Sequence, residues 1–161
     1  MTDRRLRIVV AVAVLAGIAV AAVGFATQGS GKSRRVLQVD EQAGRIGRVV
    51  LGETPGEIRS VLGKPEFESA TFMRYPDLVV GIAGGRATSV ATSSADAKTD
   101  LAVRIGDPLS AVRASYRKAA KCNPNSPDKT AAHPQCFVTV PAGGMYVYGD
   151  PVREIRLVRT S

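Results

Sequence analysis

Gly52-Glu53-Thr54-Pro55-Gly56-Glu57-Ile58-Arg59-Ser60-Val61-Leu62-Gly63-Lys64-Pro65 is the stretch on which the fold turns. It predicts one short helix with both ends marked. Thr54 can cap the N-terminus, and Pro55 takes the first helical position, where a missing N–H costs nothing. Glu57 stands three residues after Thr54 and can return a hydrogen bond to its amide, completing a capping box. Ile58, Val61 and Leu62 follow helical spacing and form an apolar stripe. Gly63 and Pro65 end the helix.

The pattern returns 54 positions later, where Ile105-Gly106-Asp107-Pro108-Leu109-Ser110-Ala111-Val112-Arg113 aligns with Leu51 to Arg59. Asp107 is expected to cap this second helix and Pro108 to open it. Leu109, Val112 and Tyr116 form its stripe. Arg113, Arg117 and Lys121 would make a basic stripe on the same helix, most simply a solvated face. After each helix the periodicity changes to two. In the first unit Phe67–Tyr75 reads as extended, Leu78–Ile82 as a strand, Ala83-Gly84-Gly85-Arg86 as a hairpin turn and Ala87–Thr92 as the returning strand. In the second, Phe137–Val140, Met145–Tyr148 and Val152–Val158 are strands joined by Gly/Pro turns. The fold expected is α+β: two tandem units of a helix and an antiparallel three-stranded meander, forming a two-layer domain behind an N-terminal transmembrane helix.

That leading segment has no charge between Arg7 and Lys32, and Ile8–Ala26 is almost wholly Val, Ala, Ile, Leu and Gly. As a helix these residues span about 28 Å, close to the roughly 30 Å of bilayer hydrocarbon. Arg4, Arg5 and Arg7 precede it. The run exceeds the apolar core of a usual cleavable signal, and its best exit, Gly24-Phe25-Ala26, is a mediocre cleavage site. An uncleaved anchor is expected, with cleavage near Ala26 the alternative. Gly31-Lys32-Ser33 resembles the end of a phosphate-binding loop, but position 26 is Ala where that motif needs Gly, so a polar linker is expected. The divisions are residues 1–28 as anchor, 29–45 as juxtamembrane linker, 46–97 as first unit and 98–161 as second.

Charge follows this division. The whole chain carries +8 at neutral pH, but residues 36–161 hold 16 basic and 13 acidic residues. The folded part is mildly basic, and nucleic-acid binding gains little support.

The second unit is 11 residues longer than the first, and the excess falls between Cys122 and Cys136. A disulfide across this interval is expected, worth roughly 3 kcal/mol in the chain-entropy model. It needs an oxidising compartment, which an exported domain has. Free thiols and a metal site are the rivals. His133, the single histidine, completes no four-ligand zinc set, and a 13-residue gap is not a redox C-x-x-C. With the disulfide outside, the N-terminus lies in the cytoplasm.

No catalytic constellation emerges. His133 sits in a Pro-rich loop, Glu57 belongs to a capping box and Asp107 to a cap, so no catalytic residue, metal or cofactor is assigned. If Met145 and Val147 face the helices, Tyr146 and Tyr148 point to the open side of the sheet, and Arg156, opposite in sense to Ile155 and Leu157, joins them. Tyrosine buries much area at low rotamer cost, so these three residues are the candidate partner-binding site. The expected partners are the lipid bilayer, through residues 8–26, and another protein of the cell envelope.

The helix starts at Gly52, Thr54 and Ile58, the exit Leu62-Gly63-Lys64-Pro65, and the second set Gly106, Val112 and Tyr116 resemble the beta-lactamase-inhibitor-protein-like fold. Over one unit they are also similar to the small outer-membrane-assembly lipoproteins of the SmpA/OmlA type. The likeness covers about residues 46–158. It implies tandem units whose sheets join into one curved surface with the helices behind, and binding rather than catalysis. There are two departures. No cysteine follows the apolar run, against the lipoprotein branch, and no inhibitor contact residue can be matched, so no lactamase-binding site is carried over. The function expected is a membrane-tethered, non-catalytic, extracytoplasmic protein-binding module. The alternative is a secreted inhibitor of an extracellular hydrolase.

Overall fold

The computed structural model describes residues 36–123 and 135–160. The expected membrane segment, the basic residues beside it and His133 lie outside these. Among the described residues no helix is long and apolar enough to cross a membrane. The described chain is α+β and mostly antiparallel sheet.

Three short strands come first: β1 (Leu37–Asp40), β2 (Arg45–Ile46) and β3 (Val49–Val50). Helix α1 (Pro55–Leu62) follows with the expected capping box. The Glu57 amide donates to Thr54 Oγ1 at 3.3 Å, and the Thr54 amide donates to Glu57 Oε2 at 2.7 Å. Gly63 ends the helix at φ 83°, its N–H donating to the Arg59 carbonyl. The stripe is only partly used. Ile58 is fully buried, whereas Val61 is 39% exposed, because an eight-residue helix turns few side chains toward one core.

Strands β4 (Phe67–Glu68), β5 (Phe72–Arg74), β6 (Val79–Ala83) and β7 (Arg86–Thr92) then form an antiparallel meander. It has four strands, not three. Phe67–Tyr75 does not run straight: Ser69 Oγ accepts from the Thr71 and Phe72 amides at 3.2 and 3.1 Å and folds the stretch back on itself. After β8 (Ala97–Thr99) comes α2 (Leu109–Tyr116), and then β9 (Ala120–Asn123), β10 (Gln135–Val140), β11 (Gly143–Tyr148) and β12 (Glu154–Val158).

Two expectations at α2 need correction. Asp107 does not cap it: its Oδ2 accepts from the Arg104 amide at 2.8 Å, closing a turn. Pro108 is the cap residue rather than the first helical one, and the open Leu109 amide donates to Asp150 Oδ1, 41 residues away, at 3.1 Å. The basic stripe also dissolves. The helix stops at Tyr116, Arg117–Ala119 is a 3-10 turn, and Lys121 lies in β9. Arg117, at φ 47°, makes the bend that ends helical spacing.

Eight of the strands form one sheet in the order β4-β5-β6-β7-β12-β11-β10-β9. Each helix is thus followed by four strands, and the two meanders meet through their last members, Val90 opposite Leu157. Gly52 and Gly106, which precede the two helices, share a left-handed backbone at φ 94° and 98°, open to glycine at little cost. The remaining strands make a small sheet, β3-β2-β1-β8, with β1 parallel to β8. Residues 37–40, within the expected linker, and 97–99, where the two expected units join, therefore meet. Val39, Ala97 and Thr99 are all fully buried.

One register row crosses the inner face of the large sheet: Met73, Val80, Val90, Leu157, Met145 and Val138, all wholly buried. Ile58 of α1, Leu109, Val112 and Tyr116 of α2, and Val39, Ile46 and Val49 of the small sheet join the same core. Each such side chain contributes roughly 1.5–3 kcal/mol by leaving water.

Candidate functional site

Because side chains alternate along a strand, burying one face of the sheet commits its neighbours to the other. The neighbouring row runs Phe67, Arg74, Val79, Ala91, Arg156, Tyr146, Phe137 and Lys121, one residue from each of the eight strands. To one side lie Phe72, Gly81, Ser89, Val158, Gly144 and Thr139. To the other lie Glu154, Tyr148, Gln135 and Asn123. These residues are exposed or half-buried, apart from Ala91 and Gly144 in the floor.

The chain has four Phe, four Tyr and no Trp. Of the seven aromatics among the described residues, Phe67, Phe72, Phe137, Tyr146 and Tyr148 stand on this outer face. Only Tyr75 and Tyr116 are buried. The five form two groups. Phe67 and Phe72 stack at 5.1 Å, with the Arg74 guanidinium 5.7 Å above the Phe67 ring. Phe137 meets Tyr146 at 5.0 Å, Tyr146 stacks on Tyr148 at 5.9 Å, and Arg156 lies 5.4 Å over Tyr148. Glu154 holds Arg156 at 2.8 Å. Partial burial raises the Tyr148 hydroxyl above its ordinary pKa, against the opposing pull of Arg156. Between the groups β6 and β7 present Gly81, Ser89 and Ala91 beside the exposed Val79. A Cβ at Gly144 would stand 2.6 Å from the Phe137 ring, and one at Gly81 2.4 Å from Ser89 Oγ.

The expected trio of Tyr146, Tyr148 and Arg156 is therefore brought together on one face. Sequence reasoning missed Phe137, the Phe67–Phe72–Arg74 group and Lys121. Phe137 was legible, since it alternates with Val138 as Tyr146 does with Met145. Lys121 was hidden by its assignment to a helix, and β4 by the assumption of one long strand.

At the edge of this face Cys122 and Cys136 sit opposite each other on β9 and β10 and form a disulfide. It fastens the outermost strand, and with it Lys121, to the sheet. The loop it closes lies outside the described residues.

Two other features are present, a buried polar network and a cleft. Tyr116 Oη donates to the Glu41 carboxylate inside the protein, and burial raises the pKa of Glu41. The Glu41 amide donates to Asp100 Oδ2 at 3.0 Å, and Gln38 Nε2 to Asp100 Oδ1 at 2.8 Å. This network ties β1, β8 and α2 together. A cleft of about 580 Å³ opens beside β1, lined by Leu37, Arg48, Leu62, Tyr75 and Leu78 among others. Among the described residues no three of His, Cys, Asp and Glu gather as a metal-holding group.

No protein-family model and no curated protein matches the chain. Among solved structures it is similar to an extracellular protein containing a SCP domain from Bacillus anthracis str. Ames, with a TM-score of 0.50 and 12% identity. The likeness covers 68% of this chain and 44% of that one, so the chain spans less than half the length of this neighbour. At that identity the likeness concerns the fold alone.

Proposed function

We propose that the chain is a membrane-tethered, extracytoplasmic module of the cell envelope that binds another protein without catalysis. One observation carries this reading: a core-forming sheet turns five of seven described aromatics outward, in two cation-backed groups on a face that no described element covers. Aromatic residues and arginine are the types over-represented where protein interfaces are strongest. The disulfide suits an oxidising compartment, and the apolar residues 8–26 supply the tether. The two helix-plus-four-strand units fit the copying of one ancestral unit, in line with the tandem folds that the sequence resembles.

The test is crosslinking of the intact protein in its native membrane, beside Tyr146→Ala with Tyr148→Ala. Capture of a defined protein partner that is lost in the double variant supports the assignment; capture unchanged by it refutes the site. The mass of the mature protein tests the tether, since loss of residues 1–26 would replace it with a secreted form.

A further inference from the structure

We infer that the partner presents an acidic protein surface to the outer face of the sheet, with carboxylates opposite Arg74 and Lys121 at its two ends. This rests on the protein-binding reading above and gives the partner a chemistry. The central outer row places a cation at every third strand: Arg74 on β5, Arg156 on β12 and Lys121 on β9. Glu154 offsets Arg156, the middle one. Arg74 and Lys121 make no ion pair among the described residues, and both are exposed. They stand six strands apart, about 29 Å at the usual strand spacing. The face is thus positive at both ends, with rings, Val79, small residues and the paired Arg156 and Glu154 between.

Size and sign narrow the occupant. The row from Phe67 to Lys121 is about 34 Å long, and the three outer rows span about 14 Å along the strands, so with side-chain margins the footprint is about 700 Å². That approaches the roughly 800 Å² that each partner contributes to a standard protein interface. A second copy of this chain is disfavoured, since a two-fold contact would set these cations against their own equivalents. The ring-and-arginine composition fits a protein better than a bilayer surface.

The experiment uses the full chain in its native membrane, with a photo-crosslinking phenylalanine analogue placed at position 72 in one sample and position 137 in another. The expected result is that both sites capture the same protein, and that mass spectrometry maps the adducts beside Asp or Glu. Arg74→Glu with Lys121→Glu should lower capture by about ten-fold or more, because like charges then face each other. Arg74→Lys with Lys121→Arg should retain it. Exchanging the mapped partner carboxylates for lysine should restore capture by the doubly reversed chain. Both substituted sites are exposed, and retention of the Cys122–Cys136 bond and of the circular dichroism spectrum checks that the variants fold. Adducts confined to lipid, to polysaccharide or to a second copy overturn both this inference and the protein-binding reading. A captured protein whose yield is unchanged by the charge reversal overturns the acidic-partner inference alone.

Discussion

Replacing Tyr116 by Phe removes one oxygen from the interior and leaves the buried Glu41 carboxylate without its phenolic donor. A hydrogen bond to a charged group is worth about 1.5–3 kcal/mol, so near pH 7.5 the loss should be about 2 kcal/mol. At a urea slope of about 2 kcal/mol/M this moves the midpoint down by about 1 M. The cost must depend on pH. Burial raises the folded-state pKa of Glu41 above its ordinary 4.5, with the Tyr116 hydrogen bond pulling the other way. The folded protein therefore holds this proton more tightly than the unfolded chain. The stability contributed by Glu41 is full below 4.5 and falls as pH rises through the folded value. Tyr116→Phe removes the opposing pull, raises the folded value further and so enlarges that fall. At pH 4, below the ordinary value of 4.5, where Glu41 is mostly protonated in both states, the substitution should cost only about 1 kcal/mol. Glu41→Gln should flatten this part of the profile. Urea unfolding of residues 34–161, one compact unit, followed by circular dichroism at both pH values, measures all three chains. Equal costs of Tyr116→Phe at pH 7.5 and pH 4, or a slope unchanged in Glu41→Gln, would refute the reasoning.

Three more outcomes are expected from the same unfolding assay. Cys122→Ser with Cys136→Ser opens a loop whose ends are 14 positions apart, and should cost about 3 kcal/mol; an unchanged midpoint would mean that the bond restrains little in the unfolded chain. Asp150→Ala leaves the Leu109 amide without its acceptor and should cost about 1 kcal/mol, although Asp150 is far from α2 in sequence. No loss there would remove the long-range cap. Gly143→Ala should cost about 2 kcal/mol or more, since Gly143 stands at φ 141° and a Cβ would lie 2.4 Å from the Val158 carbonyl. A native-like midpoint would mean that the β10–β11 turn can yield without loss.

Local chemistry carried far in this chain. Thr54, Pro55, Glu57 and Gly63 are consecutive or nearly so, and their capping interactions close within four residues, so the sequence contains every partner needed to read α1. The alternation that turns Tyr146 and Tyr148 one way and Met145 and Val147 the other is a property of a single strand. The same alternation could have found Phe137. The fastening of Cys122 to Cys136 was legible because the chain offers no other thiol.

What stayed hidden depends on partners far along the chain. Val39 reads as part of the juxtamembrane linker until Ala97 and Thr99 arrive beside it some 60 residues later. Asp107 looks like a cap until Asp150 takes that place, and Lys121 looks helical until β10 pairs with it. Glu41 has no local sign of burial; only the packing of Tyr116, 75 positions away, gives it one. Which residues point the same way is set by backbone periodicity and is written into each segment. Which segments lie side by side is set by cooperative burial across the whole chain, and so Phe67 and Lys121 become opposite ends of one surface only once all eight strands have paired.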